Sequence, residues 1–154
     1  MDKKLPYHSD PAVNSQFKVL LVYSNSPMDN LMPVSVSALA GALRRQGFNT
    51  KLFDTTYYPV YELSGNEVVT VGGAERKGSL QVAEFSYKEV GIEFIGTDIY
   101  EDFRRCVKDY EPNLIALSTV EPTHLLGIKL LESVRDLGIP TIVGGCFAIF
   151  STIL

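Results

Sequence analysis

Along the chain, short apolar runs alternate with stretches in which apolar residues recur at helical spacing. Phe17-Lys-Val-Leu-Leu-Val-Tyr23 has the near-continuous apolar character of a strand buried on both faces. Val36, Leu39, Ala40 and Leu43 then share one face of a helix predicted over 34–46, with Arg44, Arg45 and Gln46 outside. Gly47 fits the left-handed position that ends helices. Phe48 to Phe53 alternates apolar and polar residues, as a strand nearer a sheet edge does, and Asp54 ends it. Strand, helix, strand in this order predicts a right-handed parallel crossover.

The same rhythm returns at Asp98. Asp98-Ile-Tyr-Glu101 has the form of a capping box. Ile99, Phe103, Cys106, Val107 and Tyr110 follow on one helical face, which makes Cys106 a packing residue. Pro112 closes that helix, and Asn113-Leu-Ile-Ala-Leu-Ser118 predicts a second buried strand. Thr123 to Leu137 is the next amphipathic stretch, with Leu126, Leu130, Val134 and Leu137 inward and Gly138 at its end. Pro140-Thr-Ile-Val-Gly144 starts a fourth strand. Alternating strands and helices predict an α/β fold with a doubly wound, mostly parallel open sheet. Five parallel strands are usual in this class, so the sheet is expected to be truncated after its fourth core strand.

Two stretches fall outside the rhythm. Residues 1–16 are polar and read as a flexible arm ahead of the α/β domain at 17–154. Residues 55–97 are too long for a plain connection, which rarely exceeds about 12–15 structureless residues. Glu67-Val-Val-Thr-Val71 and Gly91-Ile-Glu-Phe-Ile95 are candidate short strands there, which makes this an insert, either a mobile flap or an extra hairpin, or else a loop without a ligand role.

Composition narrows the class of partner. The chain has 154 residues, enough for one domain, with 45% hydrophobic and 21% charged residues, ordinary for a globular protein. A net charge of −4 offers no basic patch for nucleic acid. No apolar run reaches membrane-spanning length and 1–16 contains no apolar leader segment, so no membrane partner is expected and the expected compartment is the cytoplasm. Cys106 and Cys146 are too far apart to suggest a metal spacing, and with 2 histidines in the chain no metal ligand and no catalytic residue is assigned.

In an open parallel sheet, ligands bind outside the carboxyl ends of the strands. The segments expected there are Ser24 to Pro33, Ser118 to Pro122 and Gly144 to Ala148. Candidate binding residues are Ser24, Asn25, Ser26, Pro27, Met28, Asp29, Asn30 and Leu31 on the first loop. Ser118, Thr119, Val120 and Glu121 belong to the second segment, and Gly144, Gly145, Cys146 and Phe147 to the third. These residues are mostly small or hydroxylated, and glycine admits close approach to the backbone. They suit a large, neutral, mostly apolar ligand with a few hydrogen-bonding groups, although each alone is also an ordinary turn residue. A dinucleotide site needs G-x-G-x-x-G at the first turn, and residues 24–33 contain no glycine. The same lack, with Pro27 and Pro33, weakens a flavin-phosphate cradle. A phospho-receiver needs acids where Ser24-Asn25 and Ser118 stand.

The first strand with its proline-containing loop, Leu39-Ala-Gly-Ala-Leu-Arg-Arg-Gln-Gly-Phe48, Glu111-Pro-Asn-Leu-Ile-Ala-Leu-Ser118 and Ile139-Pro-Thr-Ile-Val-Gly-Gly145 occur in a telling order. Together they resemble the N-terminal cobalamin-binding domain of B12-dependent radical SAM enzymes, a Rossmann-like, flavodoxin-like fold. The resemblance covers 17–54 and 98–148 and leaves the insert unmatched. It implies a corrinoid across the strand ends, its nucleotide tail lined by Ser118, Gly144 and Gly145, and the 24–33 loop below the ring. Related domains of the methionine synthase type carry D-x-H-x-x-G in that loop. Residues 24–33 contain no histidine, so the implied state is base-off cobalamin without histidine ligation. His124-Leu-Leu-Gly127 has the H-x-x-G look, but it opens a helix in the wrong place.

Radical chemistry needs C-x-x-x-C-x-x-C to hold a 4Fe-4S cluster that works with S-adenosylmethionine, and Cys106 and Cys146 do not supply it. The expected catalytic partner is a C-terminal radical SAM domain outside this chain, in a parent enzyme such as a methyltransferase. The alternative reading is a ligand-free α/β interaction or regulatory domain, and a weaker one is a flavin- or nucleotide-binding domain.

Overall fold

A computed structural model of the chain describes residues 11–25, 33–63, 67–70, 91 and 93–145. In chain order these form α1 (Pro11–Asn14), β1 (Lys18–Tyr23), α2 (Val34–Arg45), β2 (Asn49–Asp54), β3 (Val60–Leu63), β4 (Glu67–Thr70), α3 (Ile99–Tyr110), β5 (Leu114–Ser118), α4 (His124–Ser133) and β6 (Thr141–Gly144). Short 3-10 turns, Glu121–Thr123 and Arg135–Leu137, flank α4. Four strands make one parallel sheet in the order β2-β1-β5-β6. The fold is an α/β doubly wound open sheet, and β3 and β4 form a separate antiparallel hairpin.

Apolar content sorts the layers. On one face Leu20, Val22, Phe53, Ile115 and Leu117 meet Ile99, Phe103 and Val107 of α3 and Leu126 and Leu130 of α4, joined by Val134 just beyond it. Phe103 is wholly buried and its ring centroid lies 5.0 Å from that of Phe53. Emptying such a site costs about 3–5 kcal/mol. On the other face Val19 and Leu21 meet Val36 of α2, with Ala40, Leu43, Leu114 and Ala116 partly covered. Of the positions expected to point inward on α2, Leu39 does not: it is 45% exposed. β6 is exposed at Thr141, Ile142 and Val143.

The caps follow the chemistry of their residues. Gln46 follows α2 and Gly47 takes φ +88, while Gly138, at φ +65, closes the 3-10 turn that extends α4. The Asp98 carboxylate accepts from the backbone N–H groups of Tyr100 and Glu101 at 2.8 and 2.9 Å. Part of the expected arm is a helical turn, and Asn14 at its end donates to the carbonyl of Gln46 at 2.6 Å.

The insert carries the extra hairpin expected of it, with one of its strands placed differently. Glu67–Thr70 is a strand, but its partner is Val60–Leu63, and Gly91 and 93–96 take no regular form. The two ends of the insert meet: the N–H of Ile95 donates to the carbonyl of Tyr57 at 2.9 Å. Asp102 fastens the same place. Its carboxylate accepts from the Tyr58 hydroxyl at 2.9 Å, from Thr97 and from Arg105. An excursion that leaves and returns at one point adds little loop-closure cost to the sheet. From this stem β3 runs beside the Glu121–Thr123 turn and the start of α4.

Candidate functional site

β1 has β2 on one side and β5 on the other, so the connections leaving the carboxyl ends of β1 and β5 diverge. This is the switch point at which open α/β sheets bind ligands. The described parts of the three expected segments do converge there. The N–H of Ser24 donates to the Ser118 carbonyl at 3.4 Å, and the N–H of Thr119 donates to the Gly144 carbonyl at 3.1 Å. Ser26, Pro27, Met28, Asp29, Asn30, Leu31, Cys146 and Phe147 lie outside the described residues.

The rim residues divide into two groups. Ser24, Asn25 and Thr119 are buried and used by the fold itself. The Ser24 hydroxyl lies 3.5 Å from both the Ser118 carbonyl and the Thr123 hydroxyl, and the latter donates to the Ser24 carbonyl at 2.7 Å. Helix α4 comes close here because Gly127 has no side chain: a Cβ would lie 2.8 Å from Leu117 Cδ2 and 3.2 Å from Ser24 Oγ. The glycine of His124-Leu-Leu-Gly127 thus serves packing. His124 is the first residue of α4, and its Nδ1 lies 2.6 Å from the Glu121 carbonyl, so that nitrogen carries the proton.

Asn25 belongs to a network that the sequence did not announce. Its N–H donates to the Thr55 hydroxyl at 2.8 Å, that hydroxyl donates to the Asn25 carbonyl at 2.7 Å, and the Asn25 amide donates to Thr56 at 3.0 Å. Thr56 in turn donates to Asp54 from its hydroxyl at 2.6 Å and its N–H at 2.9 Å. Thr55 and Thr56 are buried at the end of β2. Consecutive hydroxyl residues directly after a strand were the available signal.

The second group remains accessible. Register aligns Tyr23, Ser118 and Gly144, so these residues share the α2 side of the sheet at its upper edge, above Leu21, Ala116 and Ile142. Tyr23, Ser118 and Gly144 are half-buried, and Ile142 is 56% exposed. The row continues from Tyr23 to Asp54 of β2, so the floor beside α2 has a carboxylate at its far end and small, uncharged residues from Ala116 and Ser118 to Gly144. Val120 and Glu121 are exposed at the edge.

The glycine pair has two separate physical roles. Among the described residues a Cβ on Gly144 would meet only the Leu117 carbonyl, at 4.0 Å. Gly145 has φ +106, and a Cβ there would lie 2.2 Å from the Thr119 carbonyl oxygen and 3.1 Å from its nitrogen. Gly145 thus lets two backbones of the fold approach, and Gly144 leaves open room.

Tyr58 and Asp102 titrate unusually, beside the stem of the insert. Burial first, then the hydrogen bond to Asp102 and its charge, push the Tyr58 hydroxyl up to about 12. The Thr97 hydroxyl, with Tyr58 and Arg105, holds the Asp102 carboxyl below the usual carboxylate range against the opposing effect of desolvation. These groups tie the two ends of the insert to α3. Among the described residues no cluster of three or more histidine, cysteine or acidic side chains could hold a metal, and no helix is long and apolar enough to cross a membrane.

No protein-family model matches the chain, no curated protein matches it, and no solved structure matches it.

Proposed function

We propose that the chain is a binding module for a corrinoid, held base-off and without a histidine ligand at the carboxyl ends of β1, β5 and β6. One observation carries the reading: the switch point opens onto a floor of Ala116, Ser118 and Gly144 that carries no charged side chain, and among the described residues a Cβ on Gly144 meets only the Leu117 carbonyl at 4.0 Å. The residues present fit a large neutral group, because no charged side chain has to be desolvated along that floor. Ser118 would offer a hydroxyl, Gly144 room for the nucleotide tail, and Gly145 the backbone turn that keeps the edge open. The lack of histidine in 24–33 supports a state without imidazole ligation. When bound, the corrinoid supplies cobalt-centred alkyl or radical chemistry, and the protein binds and orients it. A radical SAM domain is the proposed catalytic partner.

The test is a visible-absorbance titration of the purified chain with hydroxocobalamin, followed by desalting, on wild type and Gly144→Leu. The expected result is retained colour with a spectrum lacking benzimidazole ligation in wild type, and its loss in a folded Gly144→Leu. A folded wild-type chain that retains no corrinoid, or one that binds base-on, overturns the proposal.

A further inference from the structure

The carboxylate at the far end of the floor is held by one of its two oxygens. In register, Asp54, Tyr23, Ser118 and Gly144 form a row across the ends of β2, β1, β5 and β6. The pleat puts all four on the α2 side of the sheet. Asp54 Oδ1 accepts from the N–H and the hydroxyl of Thr56, at 2.9 and 2.6 Å. Thr56 is buried, and its hydroxyl accepts in turn from the amide of Asn25 at 3.0 Å. A chain of buried groups that starts just after β1 thus fixes the direction of the carboxylate.

This turn accounts for Oδ1 and leaves Oδ2 over. A carboxylate offers about four lone-pair sites, and among the described residues no donor and no cation reaches Oδ2. Asp54 is half-buried. An oriented acceptor of this kind is suited to a donor from outside the fold, and the spacing sets the size of the molecule that carries it. Neighbouring strands lie about 4.8 Å apart, so along the row Asp54 is about 10 Å from Ser118 and about 14 Å from Gly144. A ligand resting on Ser118 and Gly144 reaches Asp54 only if it is broad, as a corrin ring with its amide arms is. Those arms end in neutral carboxamides, whose N–H groups donate. The anionic part, the phosphate of the nucleotide tail, then belongs at the Gly144 end, away from the carboxylate.

We propose that Asp54 is a specificity residue of this site, accepting a hydrogen bond at Oδ2 from a peripheral carboxamide of the corrinoid and excluding a carboxylate from the same place. The proposal rests on the corrinoid reading and adds an orientation to it, with ring periphery over β2 and tail over β6. A neutral amide donates to the carboxylate, whereas an arm hydrolysed to the acid sets two like charges against each other.

The test is equilibrium binding, by visible absorbance, of hydroxocobalamin and of its monocarboxylic acids, each with one ring propionamide hydrolysed. Wild type should bind at least one of the acids at least about tenfold more weakly than hydroxocobalamin. Asp54→Asn keeps an acceptor for Thr56 and removes the charge, so it should close that gap to within about threefold with the circular dichroism of wild type. Asp54→Ser, which also keeps an acceptor at the turn, gives the same comparison if the asparagine variant does not fold. A wild type that binds every acid as tightly as hydroxocobalamin overturns the role of Asp54 and leaves the corrinoid reading standing. So does a gap that persists unchanged in a folded Asp54 variant. A folded wild type that binds no corrinoid overturns both.

Discussion

The two glycines at the end of β6 make opposite predictions, although the sequence presents them as one motif. Gly145→Ala places a methyl group 2.2 Å from the Thr119 carbonyl oxygen at a residue with φ +106. Neither obstacle is a flexible side chain, so the backbone must move. A non-glycine residue held in such a conformation costs on the order of 1–3 kcal/mol. Displacing Thr119 also loosens its 3.1 Å bond to the Gly144 carbonyl, worth about 1 kcal/mol. The expected loss is about 2–4 kcal/mol, a large fraction of the roughly 5–15 kcal/mol that holds a domain together. At an ordinary urea dependence of about 2 kcal/mol per molar, the midpoint falls by about 1–2 M. Among the described residues Gly144→Ala meets nothing closer than 4.0 Å, and it should stay within about 1 kcal/mol of wild type. Urea unfolding followed by circular dichroism on the two variants is the assay. Equal stability of Gly145→Ala and wild type, or a larger loss in Gly144→Ala, would refute the division of roles. If it holds, loss of corrinoid in a Gly145 variant says nothing about contact with the ligand, and Gly144→Leu is the variant that does.

Other consequences concern packing and titration. Gly127→Ala pushes a methyl group to 2.8 Å from Leu117 Cδ2 and should cost about 1–3 kcal/mol by overpacking, read as a lower urea midpoint. Tyr58 ionises at about 12, above the usual phenol value near 10, so the stability it lends is complete below pH 10 and is lost as pH rises toward 12. A phenolate absorbance titration should contain a late step that vanishes in Tyr58→Phe; Tyr110, also raised by burial, is unaffected by that change. Asp102 runs the other way. With its folded value depressed, its contribution is present above the ordinary carboxylate value near 3.9 and disappears as pH falls through the depressed one. Asp102→Asn should lower stability at neutral pH and flatten that acid limb. Burial pushes the Cys106 thiol up, so in the folded chain it should react with a thiol reagent much more slowly than after unfolding in urea.

What could be read from the sequence was what local pattern determines. Apolar runs gave the strands, helical spacing gave α2, α3 and most of α4, and Asp98, Gly47 and Gly138 marked ends by backbone chemistry. The positions that local pattern does not fix depend on what lies opposite. Leu39 belongs to the apolar stripe of α2, but a stripe shows where neighbours could sit and not how much sheet the helix spans. Asp102 looks like a polar-face residue in Glu101-Asp102, yet Tyr58 and Thr97 bury it from distant parts of the chain. Val60–Leu63 is too short to carry a period, and pairing with Glu67–Thr70 defines it as a strand. At the rim, the sequence indicated which residues meet but not which way they face. Ser24 and Ser118 look alike in the chain, and the pleat turns the first toward α4 and leaves the second on the floor beside α2.

That same pleat separates the binding floor from the packing side of β6. Side chains of a strand alternate between faces, so Ile142 and Gly144 belong to the α2 side and Thr141 and Val143 to the α4 side. Corrinoid binding relies on the first side, where Gly144 stands beside Ser118. Ile142→Lys places a charge on that side and should weaken corrinoid retention, whereas Val143→Lys places one on the other side and should leave the retention of a folded chain near its wild-type level. Equal retention in folded Ile142→Lys and wild type would remove Ile142 from the binding floor.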